Sequence, residues 1–185
     1  GTTALLMNKA TKICGKVNIE FKQYYPQPGW VEHDPEEIWH VTVQAIKKVL
    51  KQAKVKAAEI AAIGITNQRE TTVLWDRKTR RSIHPAIVWQ DRRTASECLK
   101  LRKRGLAKKV RQKTGLVLDP YFSATKIAWI IRNVPRAKAL IKKNQLAFGT
   151  IDSFLVSHLT AGETHVTDVT NASRTLLMNL KKLSW

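Results

Sequence analysis

Six consecutive residues, Ala61-Ala62-Ile63-Gly64-Ile65-Thr66, limit the fold more than any other part of the chain. The run is short, continuous and almost wholly apolar, which is typical of a strand that is covered on both faces. An amphipathic helix is predicted before it, because Asp34-Pro35-Glu36-Glu37 supplies a capping side chain, a proline at the first helical position and acids in the first turn. A helix to about Ala53 followed by a buried strand indicates an α/β fold.

Further signals of the same kind follow along the chain. The predicted strands are Thr72–Trp75, Ala86–Trp89 and Leu146–Thr150, the first two forming a hairpin or a crossover. The predicted helix caps are Thr94, in the capping box Thr94-Ala95-Ser96-Glu97, Ser123 and Asp152. The predicted helix ends are Gly115, Pro135 and Gly162. This alternation favours an α/β or mixed layered sheet over a bundle or a sandwich.

Composition limits the class of protein. The 185 residues are enough for one domain with a real core, and no apolar run approaches the length of a membrane span. Two cysteines are too few for a zinc site or a disulfide framework, which favours a reducing, cytoplasmic location. The chain starts at Gly1 without Met and stops at Trp185 after an apolar stretch, so we expect a fragment.

The charge is unusual, at +19. Between Cys98 and Ile151 the chain carries fourteen basic residues and one acid, Asp119. Such a region predicts either a solvated helix surface or a face that binds RNA or another polyanion through phosphate contacts. Neither Gly-Arg repeats nor an aromatic stacking array accompanies the bases, so both interpretations stay open.

Three polar segments are candidates for a binding site. Asn67 to Thr72 follows the predicted buried strand, where open α/β sheets place ligands, and Arg69 and Glu70 offer donors and an acceptor to a polyhydroxyl substrate. Trp89 can form the apolar wall of a small pocket, and Tyr121 puts a phenol beside a predicted helix start. The alternatives are a salt bridge between loops for Arg69 and Glu70 and plain core packing for the two aromatic residues.

The sequence gives little support to a phosphate-binding turn, a metal site or a serine or cysteine nucleophile. Gly1-Thr2-Thr3 is compatible with the tip of a phosphate-binding turn, but three residues at a chain end are weak evidence. The five histidines show no metal-ligand spacing, so no metal site is predicted. No Gly-x-Ser-x-Gly elbow occurs, and neither cysteine has a recognisable base beside it in the sequence.

Long blocks of this sequence resemble the glycerol kinases of the FGGY sugar-kinase family, whose core is shared with actin and the heat-shock ATPases. The resemblance runs from Gly1 to Trp185. The matching blocks are Tyr25 to Pro35, Asn67 to Thr72, Ala86 to Thr94, Thr114 to Leu116, Asp119 to Lys126, Phe148 to Ser153 and Thr167 to Thr175. The block Asn67-Gln68-Arg69-Glu70-Thr71 is similar to the glycerol kinases rather than to the xylulose, gluconate or fuculose kinases.

The resemblance implies a ribonuclease-H-like mixed sheet flanked by helices, and ATP-dependent phosphorylation of glycerol to glycerol 3-phosphate with Mg²⁺. It implies that Arg69, Glu70 and Tyr121 hydrogen-bond glycerol and that Trp89 packs on its carbon chain. Gly1, Thr2 and Thr3 match the first phosphate loop, the expected ATP contact. The expected partners are glycerol, ATP and a second kinase domain, with a homo-oligomer left open, no membrane, and nucleic acid only as the alternative.

The sequence also departs from the family. After Thr3 the family usually continues with two small hydroxyl residues and an arginine, whereas this chain continues with Ala4-Leu5-Leu6-Met7. Residues 1–185 therefore match an amino-terminal kinase domain that is incomplete: a first strand and the second domain, with the general base and the adenine pocket, are expected outside it. No catalytic residue is predicted within the chain. A catalytically inactive fragment and a basic, RNA-binding protein derived from a kinase are the alternatives.

Overall fold

Strands and helices follow one another along the chain in groups: three strands, one helix, two strands, four helices, one strand and two helices. The computed structural model describes residues 1–185. The strands are β1 (Thr2–Met7), β2 (Ile13–Ile19), β3 (Glu32–His33), β4 (Val73–Asp76), β5 (Ala86–Ile87) and β6 (Leu146–Gly149). The helices are α1 (Pro35–Ala53), α2 (Ala95–Lys103), α3 (Ala107–Thr114), α4 (Ser123–Asn133), α5 (Pro135–Lys142), α6 (Ile151–Leu159) and α7 (Val169–Ala172), with a 3-10 turn at Ala57–Glu59. The strands pair as three antiparallel two-stranded sheets, β1-β2, β3-β5 and β4-β6.

The chain divides into two units by its internal contacts, and we call the first, Gly1–Lys22 with Asp34–Thr66, the hairpin unit. Helix α1 begins as predicted, because the Asp34 carboxylate accepts a hydrogen bond from the Glu36 backbone N–H at 2.9 Å. The helix ends at Ala53, where Lys54 adopts a left-handed conformation and returns its N–H to the last turn. The predicted bounds of this helix are therefore confirmed.

Strands β1 and β2 form a hairpin whose inner face packs on α1. The buried cluster of this unit joins Val17 to Ala45 and Val49, with Ala4, Leu6 and Ile19 around it. Gly15 permits the close approach, because a Cβ atom there would lie 2.9 Å from Val49 Cγ2. The outer face keeps three apolar side chains in solvent, Leu5, Met7 and Ile13, each about half exposed.

The predicted buried strand Ala61–Thr66 is wrong for this structure. These residues form no strand, and the Ile63 side chain is 58% exposed. A continuous apolar run becomes a buried strand only when neighbouring strands pair with it and layers cover both faces. None of the six strands pairs with this segment.

The second unit, Gln23–His33 with Asn67–Trp185, is called the site unit because it contains the candidate residues Arg69, Glu70, Trp89 and Tyr121. Its strands β4 and β5 run antiparallel, since Thr72 and Ile87 exchange backbone hydrogen bonds at 2.9 and 3.0 Å. Its core joins Leu74 and Ile87 to Ile130 of α4. The predicted strand at Thr72–Trp75 and the strand within Leu146–Thr150 are confirmed as β4 and β6, and β5 covers the first half of Ala86–Trp89.

Thr94 is the N-cap residue of α2, as predicted, whereas the predicted caps Ser123 and Asp152 lie within the first turns of their helices, and none of the three makes a capping hydrogen bond. The Thr94 hydroxyl pairs with the Thr125 hydroxyl at 2.9 Å and makes no cap bond to α2. Ser123 is the first residue of α4, and its hydroxyl donates to the Glu70 carbonyl at 3.3 Å. Asp152 lies inside α6, where its carboxylate accepts a hydrogen bond from Thr167 at 2.7 Å. In each case a tertiary partner takes the side chain that the local pattern assigned to a cap.

The predicted helix ends agree better with the structure. Gly115 follows α3 with a φ of 72°, which is the left-handed conformation that glycine adopts without strain. Helix α4 stops at Asn133, and Pro135 then begins α5, a helix that the sequence did not predict. No helix is both long and apolar enough to cross a membrane.

Candidate functional site

Glu70 lies in the turn that leads into β4, and its carboxylate is already engaged. Its side chain is almost fully buried and accepts a hydrogen bond from Arg174 Nε at 2.6 Å. Its backbone has a φ of +66°, an uncommon conformation for a residue with a Cβ atom. The predicted acceptor is therefore present, held by an arginine 104 positions away that the sequence analysis did not identify.

Trp89 and Tyr121 lie against each other, as a small pocket wall requires. Their ring centroids are 5.5 Å apart in an edge-to-face arrangement. Trp89 is 36% exposed, so part of its indole surface is covered neither by Tyr121 nor by the core. Tyr121 precedes α4, and its backbone N–H donates to Asp119 Oδ1 at 2.9 Å. Plain core packing does not describe Trp89, because a core indole would be buried.

Arg174 joins the acidic and the aromatic parts of the site. Its guanidinium carbon lies 5.6 Å from the Tyr121 ring centroid and 4.9 Å from that of Phe122. The same side chain bonds to the Glu70 carboxylate, and it remains about one third exposed. Arg174 thus joins Glu70 to Tyr121, and Trp89 joins this group through its contact with Tyr121. The signal that could have indicated Arg174 was its place in the block Thr167 to Thr175.

Arg69 is next to Glu70 in sequence but takes no part in this ion pair. Its side chain is exposed and forms no ion pair with Glu70. The alternative of a salt bridge between loops holds for Glu70, whose partner is Arg174. The exposed Arg69 guanidinium is available to a ligand that arrives from solvent. The assignment of Arg69, Glu70, Trp89 and Tyr121 to substrate stays a prediction.

A buried ion cluster lies behind the Trp89 turn. Arg93 and Asp91 have fully buried side chains 2.8 Å apart, and Arg93 also bonds Glu32 at 2.7 Å. The guanidinium stacks 3.8 Å from the Trp30 ring centroid and 4.8 Å from that of Trp129. Asp91 further accepts a hydrogen bond from the Val31 backbone N–H at 2.7 Å. This cluster fixes the turn that carries Trp89.

Asn67 belongs to a second cluster of polar side chains, which surrounds Asp152 of α6. Its amide donates to Asp152 Oδ1 at 3.3 Å. Asp152 also accepts from the hydroxyls of Thr150 and Thr167. The polar block Asn67 to Thr72 is thus divided, with its first residue directed to α6 and Glu70 directed to Arg174.

Gly1, Thr2 and Thr3 lie in the hairpin unit and do not form a turn. Thr2 and Thr3 are the first residues of strand β1, so the expected turn geometry is wrong. The Thr3 hydroxyl donates to Asn18 Oδ1 at 2.8 Å, and the Gly1 ammonium lies 3.3 Å from the Glu20 carboxylate. Their role in phosphate binding stays a prediction.

Two titratable groups in the site unit are strongly perturbed. Burial lowers the pKa of Lys126 to about 7, opposed by the nearby charges of Asp91 and Glu70. Burial likewise lowers the pKa of His33 to about 4. His, Cys, Asp and Glu side chains nowhere form a group of three or more that could hold a metal ion. Two surface cavities of about 410 and 380 Å³ lie beside α3, and neither is lined by the predicted site residues.

Comparison with known proteins gives a consistent result. The family described as "FGGY family of carbohydrate kinases, N-terminal domain" matches residues 1–185. A glycerol kinase of Symbiobacterium thermophilum is 53% identical over 188 positions, which are 100% of this chain and 38% of that protein. A glycerol kinase of Rhizobium meliloti is 55% identical over 184 positions, 100% of this chain and 37% of that protein. The chain thus spans less than two fifths of the length of these relatives.

Solved structures agree with the sequence relatives. The crystal structure of Plasmodium falciparum glycerol kinase with ADP matches with a TM-score of 0.89 at 38% identity, covering 99% of this chain and 36% of that one. A xyloylose kinase from Brucella ovis matches with a TM-score of 0.85 at 26% identity, again covering 99% of this chain and 36% of that one. The predicted fold class is confirmed by these neighbours.

Proposed function

Because this chain belongs to the FGGY family of carbohydrate kinases, we propose that it is the glycerol-contacting part of an ATP-dependent glycerol kinase. The observation that carries the proposal is the 53 to 55% identity to proteins named glycerol kinase over the whole of this chain. The joint position of Glu70, Tyr121 and Trp89 supports it, since a carboxylate, a phenol and an indole suit a small triol.

Each predicted contact has a distinct chemical task. The Arg69 guanidinium donates to glycerol hydroxyls, and the Glu70 carboxylate accepts from them while its hydrogen bond with Arg174 orients it. The Tyr121 hydroxyl supplies a further polar contact, and the exposed indole of Trp89 covers the carbon chain. Together these groups select a short polyol and hold its terminal hydroxyl in one place, which is the main contribution of protein to phosphoryl transfer.

The candidate contacts for ATP in this chain are few. Gly1, Thr2 and Thr3 are the candidate contacts for the phosphates of ATP, through backbone N–H groups and two hydroxyls. The chain's own side chains do not offer a cluster that fits Mg²⁺, so we derive no step through the metal. The general base and the adenine pocket are assigned to a second kinase domain.

The test is glycerol phosphorylation by the full-length gene product. Arg69→Ala should lower kcat/KM for glycerol by the equivalent of about 2 to 4 kcal/mol, because a charged donor to the substrate is lost. The matched control is Arg132→Ala, which removes an exposed arginine of α4 that pairs with Glu97 of α2 and should leave the kinetics unchanged. Unchanged kinetics in Arg69→Ala would remove its assignment, and a wild-type protein without glycerol-dependent ATP turnover would overturn the proposed function.

A second candidate function is polyanion binding by α2 and α3. From Lys100 to Lys113 the chain has eight basic residues and no acid, and all eight side chains are exposed. Single-stranded RNA should bind with an affinity that falls steeply as salt rises. Replacing Lys108, Lys109, Arg111 and Lys113 by glutamine should weaken this binding. Affinity that does not depend on salt, or no binding at low salt, would exclude it.

A further inference from the structure

Lys126 is a buried cation to which the proposed chemistry gives no task. It lies in the first turns of α4, its side chain is fully buried, and no other lysine of the chain is buried. Burial of an ammonium group is costly unless polar partners compensate for the lost water. The polar partners of Lys126 therefore indicate what its burial does for the structure.

The Lys126 ammonium group donates to the backbone of two predicted glycerol contacts. Nζ lies 2.8 Å from the Tyr121 carbonyl oxygen and 3.4 Å from the Glu70 carbonyl oxygen. These two acceptors are 51 residues apart in sequence, and one side chain thus connects the turn before β4 to the turn before α4.

The conformation of Glu70 is one that neighbouring groups must hold in place. A residue with a Cβ atom at a φ of +66° is strained and persists only where its surroundings hold it. The Glu70 carbonyl also accepts hydrogen bonds from the Thr72 hydroxyl at 3.0 Å and the Ser123 hydroxyl at 3.3 Å. Of these three donors, only Lys126 also bonds Tyr121.

We infer that Lys126 is a positioning residue that fixes the backbones of Glu70 and Tyr121 at the spacing needed to bind a small polyol. This inference rests on the proposed function, because it concerns the same site. Lys126 does not touch the substrate: it is buried behind the two carbonyl groups. Its effect reaches the polyol through the side chains of the two residues that it holds.

The surrounding charges define how the connection responds to protons. Asp91, Glu70 and Asp119 favour the charged form of Lys126, Arg93 opposes it, and burial lowers the pKa to about 7. The ammonium group is the stronger donor, so both hydrogen bonds weaken as the proton leaves. The peptide groups of Glu70 and Tyr121 should therefore sense a titration near neutral pH.

The kinetic experiment compares Lys126→Met with Thr125→Val in the full-length gene product. Thr125 is the adjacent buried residue of α4, and its hydroxyl bonds Thr94 instead of the site, so it controls for general loss of packing. Lys126→Met should raise KM for glycerol about tenfold or more while KM for ATP stays constant. Thr125→Val should leave both values within twofold. If Lys126→Met does not fold, Lys126→Gln, which keeps one donor, carries the same test with a smaller expected rise.

A second measurement does not depend on activity. In the wild type, the backbone amide signals of Thr71 and Phe122, which follow the two accepting carbonyls, should shift with a midpoint near pH 7, and this titration should vanish in Lys126→Met or Lys126→Gln. A KM for glycerol that stays within twofold of the Thr125→Val value, or amide titrations that survive replacement of Lys126, would overturn the inference. An inactive wild type with intact amide titrations would instead contradict the proposed function and leave the connection by Lys126 standing.

Discussion

The hairpin unit and the site unit bury different kinds of side chain. The buried cluster of the hairpin unit contains Val17, Ala45 and Val49, and no charged residue of that unit is buried. In the site unit, by contrast, Arg93 bonds Glu32 across 61 positions and Arg174 bonds Glu70 across 104 positions. The first unit is thus held by apolar contacts between a hairpin and one helix, whereas the second has, besides its apolar core, buried charges that join distant segments.

This difference indicates which unit must hold its side chains in fixed positions. Apolar contacts tolerate small shifts, whereas a buried charge is stable only when its hydrogen-bond geometry is good. A region that must hold several polar side chains toward one ligand therefore gains from ion pairs that a shift would break. We therefore expect a variant that breaks a buried ion pair of the site unit to lose more stability than one that removes an apolar contact of the hairpin unit.

Arg93→Met should cause the largest loss of stability, about 3 to 5 kcal/mol, because it leaves the Asp91 and Glu32 carboxylates buried without their cation. The measurement is the free energy of unfolding from chemical denaturation, followed by a signal that reports on the site unit. Arg132→Met is the matched control: its ion pair with Glu97 is partly exposed and should contribute less than about 1 kcal/mol. Similar losses for both variants would remove the distinction between buried and exposed pairs.

Val49→Ala should destabilise the hairpin unit by about 1 to 3 kcal/mol, because it leaves a cavity between α1 and Gly15. Amide hydrogen exchange in β1 and β2 measures the effect locally. Leu5→Ala, on the exposed face of the same hairpin, should change protection little. If Leu5→Ala has the larger effect, the inner face is not the source of this unit's stability.

Acid should destabilise the site unit through His33. Since burial holds the pKa of His33 at about 4 against an ordinary value of 6.5, the unfolded chain binds a proton between these values and the native chain does not. The free energy of unfolding should therefore fall as the pH drops from about 6.5 to 4, on the order of 1 to 2 kcal/mol after allowance for solvent screening. His33→Gln should flatten this dependence, and replacing the exposed His40 by glutamine should not.

The smallest effect is expected at the start of α1. Asp34→Ala removes the side chain that accepts from the Glu36 N–H and should cost about 1 kcal/mol. Thermal unfolding measures the change, with Asp34→Asn, which keeps an acceptor, as the control. A larger loss in Asp34→Asn than in Asp34→Ala would contradict the capping role.

The sequence predicted features that depend on neighbouring residues better than features that depend on distant ones. Helix α1 has its cap, its proline and its apolar stripe within twenty residues, and its bounds were predicted correctly. Ser123 and Asp152 carry the same local cap signal, but tertiary partners claim their side chains. The run Ala61–Thr66 has the composition of a buried strand without strands that pair with it.

The candidate site shows the same limit. The family resemblance drew attention to Glu70, Trp89 and Tyr121, and the structure brings these three together. Arg174 and Lys126 lie in the matching blocks, yet nothing in their local sequence indicates that they bond Glu70. Contacts across 104 and 56 positions become visible only when the chain is folded.

The outer face of the β1-β2 hairpin affects how the solubility of the protein depends on salt. Leu5, Met7 and Ile13 expose apolar surface on a two-stranded sheet, while a net charge of +19 makes copies of this chain repel one another. Electrolyte shortens the reach of that repulsion to about 8 Å near physiological ionic strength and leaves the apolar attraction intact. Solubility should therefore decline as buffer salt is raised, which is the opposite of what a nearly neutral protein shows at low ionic strength.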